Sequence, residues 1–181
     1  MLFAALPPMD EQEFLETCAR TMDKEDYLEI ESVSAALVSA DDKVHFRSEF
    51  LDRYVSWEKN FRNELSRLRA RKLGRNEEAF FRPARPADDA ARSAGLCFSA
   101  EDPFQAELAL ERERWNAIER YSSLSAFDLD FLIAYRLKLA INQRIQRLAR
   151  EAGEAGYNRL YKDILGRASS SAGIEKLGEQ A

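Results

Sequence analysis

Apolar residues recur at helical spacing along most of this chain. The most regular stretch runs from about Ser48 to Leu73, where Phe50, Tyr54, Trp57, Phe61, Leu65 and Leu68 follow at steps of three or four. That stripe predicts an amphipathic helix about 39 Å long at 1.5 Å per residue. Glu58 and Arg62 form an i,i+4 pair on its wet side. Gly74 suits the position just past the end, and Arg69, Arg71 and Lys72 complement the helix dipole there. Ahead of this helix, Asp10 and Glu13 form a capping box, with Met9 and Phe14 at the staple positions. The helix so started carries Phe14, Leu15, Cys18 and Met22 on one face. Asp23 ends it and caps a short second helix through Tyr27, Leu28 and Ile30. Ser32–Ala40 fits either a third short helix or an extended segment, and Asp41-Asp42 marks a turn.

Further on, Asp102-Pro103 reads as an N-cap followed by a first-turn proline. The helix it opens passes through Phe104, Leu108, Glu111, Trp115 and Ile118 to Tyr121. Ser122-Ser123 breaks it, and Ser125 with Asp128 offers another capping box. Phe131 to Ile141 is apolar nearly all round, which predicts a helix covered on more than one side at the centre of a bundle. It turns one-sided at Ile145 and Leu148 and is expected to end at Gly153. A last helix carries Tyr157, Leu160, Tyr161, Ile164 and Leu165 and is expected to end at Gly166. The seven glycines all fall outside the helices so drawn.

The main break is Arg75–Phe98, more than 20 residues with Pro83 and Pro86. That is too long for an ordinary helix–helix connection, so it reads as either a mobile stretch or a functional excursion, with room for a short helix at Asp88–Ala94. Cys97 falls in this loop, beside Phe98. The expected architecture is an all-α helical bundle with two or three long amphipathic helices and one long Pro-containing connecting loop. It comprises one domain over 1–166, with sublobes of about 1–74 and 99–166, a linker at 75–98 and a disordered tail at 167–181. The helices near 48–73 and 126–152 are expected to run antiparallel and bracket the one at 103–121. No sheet is expected beyond a short pair near the N-terminus. Trp57, Phe61, Leu65, Trp115, Ile118, Phe131, Leu132, Tyr135 and Leu139 are the expected core cluster.

Composition agrees with this reading. Ala, Leu, Glu, Lys and Arg make up a little over half the chain, while four Val, seven Ile and two Thr are too few for a sizeable sheet. The longest uncharged runs are nine residues, against the roughly 20 needed to span a bilayer. Met1–Leu6 has neither the basic region nor the apolar length of a signal peptide. Cys18 and Cys97 read as reduced structural thiols. Charge is sorted along the chain: residues 1–42 carry net −9, residues 43–92 net +5 and residues 93–181 net −1. Such opposed patches either solvate helix faces or steer docking on a partner.

Candidate chemistry is sparse. His45 is the only histidine, which excludes paired-histidine metal sites. Between Val44 and Phe46 it reads as a packed or surface imidazole. Asp128 and Asp130 lie two apart at a helix start, where they point away from each other and favour the dipole. Arg67, Arg71 and Arg75 recur every four residues, and with Arg69 and Lys72 they gather five bases within nine residues. This basic end reads as either a solvated helix face or a surface for an acidic protein partner. RNA is the weaker alternative, because no aromatics interleave and Glu64, Glu77 and Glu78 dilute the field. There is no Gly-rich phosphate loop, CxxC, HExxH or GxSxG motif. Neither catalytic, cofactor-binding nor metal-ligating residues are assigned.

Three stretches together resemble a small bacterial family encoded beside V-type ATP synthase subunits. They are Leu6-Pro7; Trp57 through Arg62-Asn63-Glu64-Leu65 to Leu68-Arg69-Ala70-Arg71-Lys72; and a set in the second half of the chain. That set is Asp102-Pro103, Glu107, Arg114-Trp115 and Phe127-Asp128-Leu129-Asp130, continuing into Ala134-Tyr135-Arg136-Leu137-Lys138-Leu139. The resemblance implies an all-α, non-catalytic accessory or assembly protein that contacts V-type ATPase subunits. It implies a cytoplasmic location at the periphery of the membrane-bound enzyme, without membrane insertion or DNA binding. By analogy the chain is also similar to part of the helical C/d-type subunit, which is about twice as long. The alternatives are a stand-alone helical adaptor on an acidic partner, or an RNA-binding helical protein. Arg67, Arg69, Arg71, Lys72 and Arg75 are the candidate partner-binding residues.

Overall fold

The computed structural model describes residues 3–33, 46–78, 81–85, 89–100, 102–122 and 128–178, with side chains described through residue 156 except those of 152 and 155. Six helices make up the described chain: α1 (Glu11–Thr21), α2 (Lys24–Ser32), α3 (Glu49–Lys72), α4 (Ala90–Phe98), α5 (Pro103–Tyr121) and α6 (Leu129–Gly178). No strand occurs among the described residues, so the fold is all-α. His45 and most of Ser32–Ala40 lie outside them.

Local chemistry sets the helix starts. The Asp10 carboxylate accepts the Glu13 N–H at 2.8 Å, Ser48 Oγ the Leu51 N–H at 3.0 Å and Asp102 the Gln105 N–H at 3.0 Å. Asp128 accepts the Phe131 N–H at 2.9 Å, so α6 is capped by Asp128 itself. Asp23 sits at the N-cap of α2 without a side-chain bond. At the other end of α3, Gly74 takes φ +62°, the Arg75 N–H reaches the Ala70 carbonyl and the Gly74 N–H that of Arg71. This is a Schellman closure.

One compact unit covers Met1–Ile145 and a second covers Gln146–Ala181. The first therefore contains the 75–98 stretch as well as both of its neighbours, and the expected sublobe 99–166 is cut after Ile145. Within this unit Phe50, Tyr54, Trp57 and Phe61 form a continuous aromatic ladder along α3. Trp115, Ala117 and Ile118 of α5, Ile133, Leu137, Leu139 and Ile141 of α6, and Ala94 and Cys97 of α4 complete the core. Eight of the nine expected core residues belong to it, Leu132 and Tyr135 as partly buried members. Phe131 does not: in the first turn of α6, just past the cap, it is 40% exposed.

The linker is better described as an element. Its last nine residues form α4, which packs on both α3 and α5. Cys97 is thus a buried helical residue, not a loop residue, and burial pushes its thiol up to about 11. Ahead of α4, residues 82–85 are laced along α3. The Asn63 amide bonds both the N–H and the carbonyl of Arg82, and Asn60 Nδ2 donates to the Arg85 carbonyl at 2.5 Å.

Helix directions also differ from expectation. Lys138 pairs with Glu119 at 3.3 Å, and Arg144 with Glu111 and Glu107 at 2.9 and 3.1 Å, so α6 runs antiparallel to α5. Lys72 lies over the Phe98 ring at 5.5 Å, only five residues before α5 begins, while Arg114 pairs with Glu58. Only an antiparallel α3–α5 arrangement satisfies both within the reach of the chain. The helices near 48–73 and 126–152 therefore share one direction, each antiparallel to the helix between them.

The second unit is the remainder of α6, which continues through Gly153, Gly156, Gly166 and Gly173 to Gly178. The expected ends at Gly153 and Gly166 are absent, and residues 167–178 of the expected disordered tail are helical. A helix interior loses only about 1 kcal/mol at a glycine, which the alanines, leucines and arginines around it offset. No described helix is long and apolar enough to cross a membrane.

Candidate functional site

The five candidate partner-binding residues lie at the C-terminal end of α3 and in the turn after it, and the structure divides them. Arg71 grips Glu77 with two parallel hydrogen bonds, both at 2.9 Å. The guanidinium holds the Glu77 carboxyl below the usual carboxylate range. Arg67 pairs with Glu64 at 3.0 Å and lies 3.8 Å from Glu77. Lys72 sits over Phe98. These three bind the helix to the turn that follows it and to α4. Arg69 and Arg75 are exposed and have no side-chain partner among the described residues. Between them in the chain Leu73 is 64% exposed, and Phe81, next to the Arg82 backbone held by Asn63, is 57% exposed. The end of α3 thus presents an exposed leucine among cations, the make-up of an interface anchor with a basic rim.

A second constellation lies within the core. Glu58 is 1% exposed, so its side of α3 is dry rather than wet. It accepts from Arg62 Nε at 2.8 Å and from Arg114 at 3.0–3.2 Å. Arg114 also donates to Glu111 at 2.8 Å, and Glu111, likewise 1% exposed, takes Arg144 at 2.9 Å. The chain of charges joins α3, α5 and α6. Burial drives the Glu111 carboxyl up, against the pull of Arg114 and Arg144, and burial pushes the Tyr54 hydroxyl strongly up beside it. Each carboxylate is already engaged by at least two guanidinium groups, which suits a clamp better than a cation site. Among the described residues no acidic, histidine or cysteine cluster could hold a metal ion.

A third cluster anchors α6 to the first two helices. Arg136, 6% exposed, bonds Glu11 through Nε and a terminal nitrogen at 3.1 and 3.0 Å and donates to the Ile30 carbonyl. Glu29 accepts the Ser48 N–H at 2.9 Å, joining α2 to the start of α3. Periodicity did not reveal these residues, because it marks apolar positions. The signal available was an arginine inside an otherwise apolar helix. Asp128 acts as a cap.

Two surface depressions are formed by described residues. One, of about 550 Å³, is an open acidic groove lined by Asp10, Glu11, Glu16, Leu15, Tyr27 and Gln143. The other, of about 170 Å³, lies between α4 and α5 among Asp89, Arg92, Ser93, Glu113 and Arg120. There Ser93 Oγ donates to Glu113 at 2.5 Å and Arg120 pairs with Asp89 at 3.2 Å. Set against family models, curated proteins and solved structures, the chain matches none.

Proposed function

We propose that the chain is a non-catalytic accessory or assembly protein of a bacterial V-type ATPase, acting in the cytoplasm through protein–protein contacts. The observation that carries this reading is the end of α3, where exposed Leu73 lies in the same stretch as the exposed cations Arg69 and Arg75. Apolar anchors supply affinity once desolvated, and cations around them orient an acidic partner. The resemblance of residues 57–72, and of the stretches around Trp115 and Tyr135, suggests the ATPase as that partner. The all-α bundle agrees with an architecture built for contact. The same patch also suits a stand-alone adaptor on another acidic protein. It suits RNA less, since Arg67 and Arg71 are already paired with carboxylates and no longer present a row of cations to phosphates.

The test is co-purification of the tagged full-length chain from a bacterium that makes a V-type ATPase. Wild type is expected to retain ATPase subunits, and the Leu73→Asp variant to lose them with its thermal unfolding unchanged. Recovery without ATPase subunits, with a different acidic protein in their place, would establish the adaptor reading.

A further inference from the structure

We infer that the seat on α5 and α6 that receives Phe3 is a recognition site for a turned, aromatic-bearing segment, filled here by residues 3–6 and fitted equally by those residues of a second copy. The seat is built from groups fixed before the segment arrives. Trp115 donates its indole N–H to Glu119 at 2.9 Å, and Lys138 pairs with the same carboxylate while lying 5.0 Å from the Trp115 ring centre. Phe3 meets this oriented indole edge-to-face, at 5.6 Å and 84°. On Phe3 itself the Arg112 guanidinium stacks at 3.6 Å. These are the favoured geometries for aromatic pairs and for a cation over a ring.

The seat also reads the main chain. Asn142 is fully buried in α6, and its Oδ1 accepts the Ala4 N–H at 2.9 Å. An aromatic side chain followed directly by a backbone donor is therefore the pattern it selects.

Among the described residues, residues 3–6 make no other side-chain hydrogen bond. Ala4 adopts φ +60°, a left-handed conformation that its Cβ disfavours. Leu6 is 84% exposed, so the apolar side chain closest to the connection adds little packing. Pro7 and Pro8 offer no N–H groups and stiffen the link to α1, which bends at residues 8 and 9. A segment with few buried contacts opens far more readily than the helices beneath it. The site then needs an occupant, and a second copy carries the sequence that it demonstrably accepts. Exchange of a short segment across a proline-stiffened link remakes each contact and is a low-cost route to association.

The inference is independent of the ATPase reading and is tested on the isolated full-length chain. The Phe3→Ala protein is titrated with a labelled peptide of residues 1–10, MLFAALPPMD, and with the same peptide bearing alanine in place of Phe3. Saturable binding of the first peptide, roughly tenfold or more weaker for the second, is expected. Wild-type protein should bind the first peptide more weakly than Phe3→Ala does, because its own segment competes. Absence of binding to a folded Phe3→Ala chain, or equal binding of both peptides, would overturn the inference. Should Phe3→Ala fail to fold, sedimentation of the wild-type chain decides. A reversible dimer weakened roughly tenfold by Arg112→Ala supports exchange, and a monomer at every accessible concentration refutes it.

Discussion

Burial of Glu58 and Glu111 around Arg114 makes the core clamp intolerant of partial removal. Taking away one member of a buried ion pair strands the other, at a cost of about 3–5 kcal/mol. Arg114→Met is therefore expected to destabilise the chain by that amount at neutral pH, measured by urea unfolding. Glu111 adds a pH dependence. Its folded carboxyl is raised above the ordinary value by burial, so the folded state binds more protons than the unfolded state just above that value. Stability from this group is complete below the ordinary carboxylate range and falls as pH rises through the raised value. The penalty of Arg114→Met should accordingly be smaller at about pH 5 than at about pH 8. An equal penalty at both would place Glu111 outside the clamp. Trp115, 3% exposed, is expected to cost about 3–5 kcal/mol when cut to alanine. The stripe on α3 marks Trp57 and Phe61 as buried, but it assigns Glu58 to solvent because one helix's periodicity does not register a second helix on its flank. The partner that dries Glu58, Arg114, lies 56 positions along the chain.

At the scale of elements, helix starts were legible and helix ends often were not. Caps at Asp10, Ser48 and Asp102 are decided within four residues, so the sequence around each one suffices. An end at glycine depends on whether the following residues still favour the helix. Gly74 ends α3 because it enters the left-handed region, whereas Gly153 and Gly156 remain within α6. These glycines respond oppositely to substitution. A Cβ at Gly153 or Gly156 meets nothing within 4 Å, so Gly→Ala at either should raise stability by roughly 0.5–1 kcal/mol and increase helical circular dichroism. Gly74→Ala faces no clash either, but φ +62° should make it destabilising by about 1 kcal/mol. A loss of helicity in Gly153→Ala would show that α6 is interrupted there. Relative helix direction was misread for a different reason. It is set by Lys138–Glu119, Arg144–Glu111 and Arg114–Glu58, pairs that no local pattern reports.

For the whole molecule, the sorting of charge along the chain translates only partly into free surface charge. The basic stretch has its cations divided between internal pairing and display, and this changes which substitutions test docking. Reversing Arg67 and Arg71 would set two new carboxylates against Glu64 and Glu77, so it should loosen the turn after α3 as well as any interface. Reversing Arg69 and Arg75 alters exposed charge alone. Exposed charges contribute little to folding but govern the rate of encounter with an oppositely charged surface. If the proposed ATPase partner docks here, Arg69→Glu/Arg75→Glu is expected to slow association with it several-fold at low salt and to leave the melting temperature unchanged. The difference from wild type should shrink as salt screens the field beyond about 10 Å at 0.1 M. Stopped-flow or surface-binding kinetics across a salt series, alongside thermal unfolding of both double variants, reads out each arm. An association rate insensitive to both salt and the Arg69/Arg75 reversal would remove the end of α3 from the interface, and the exposed Leu73 would lose the electrostatic frame that makes it an anchor.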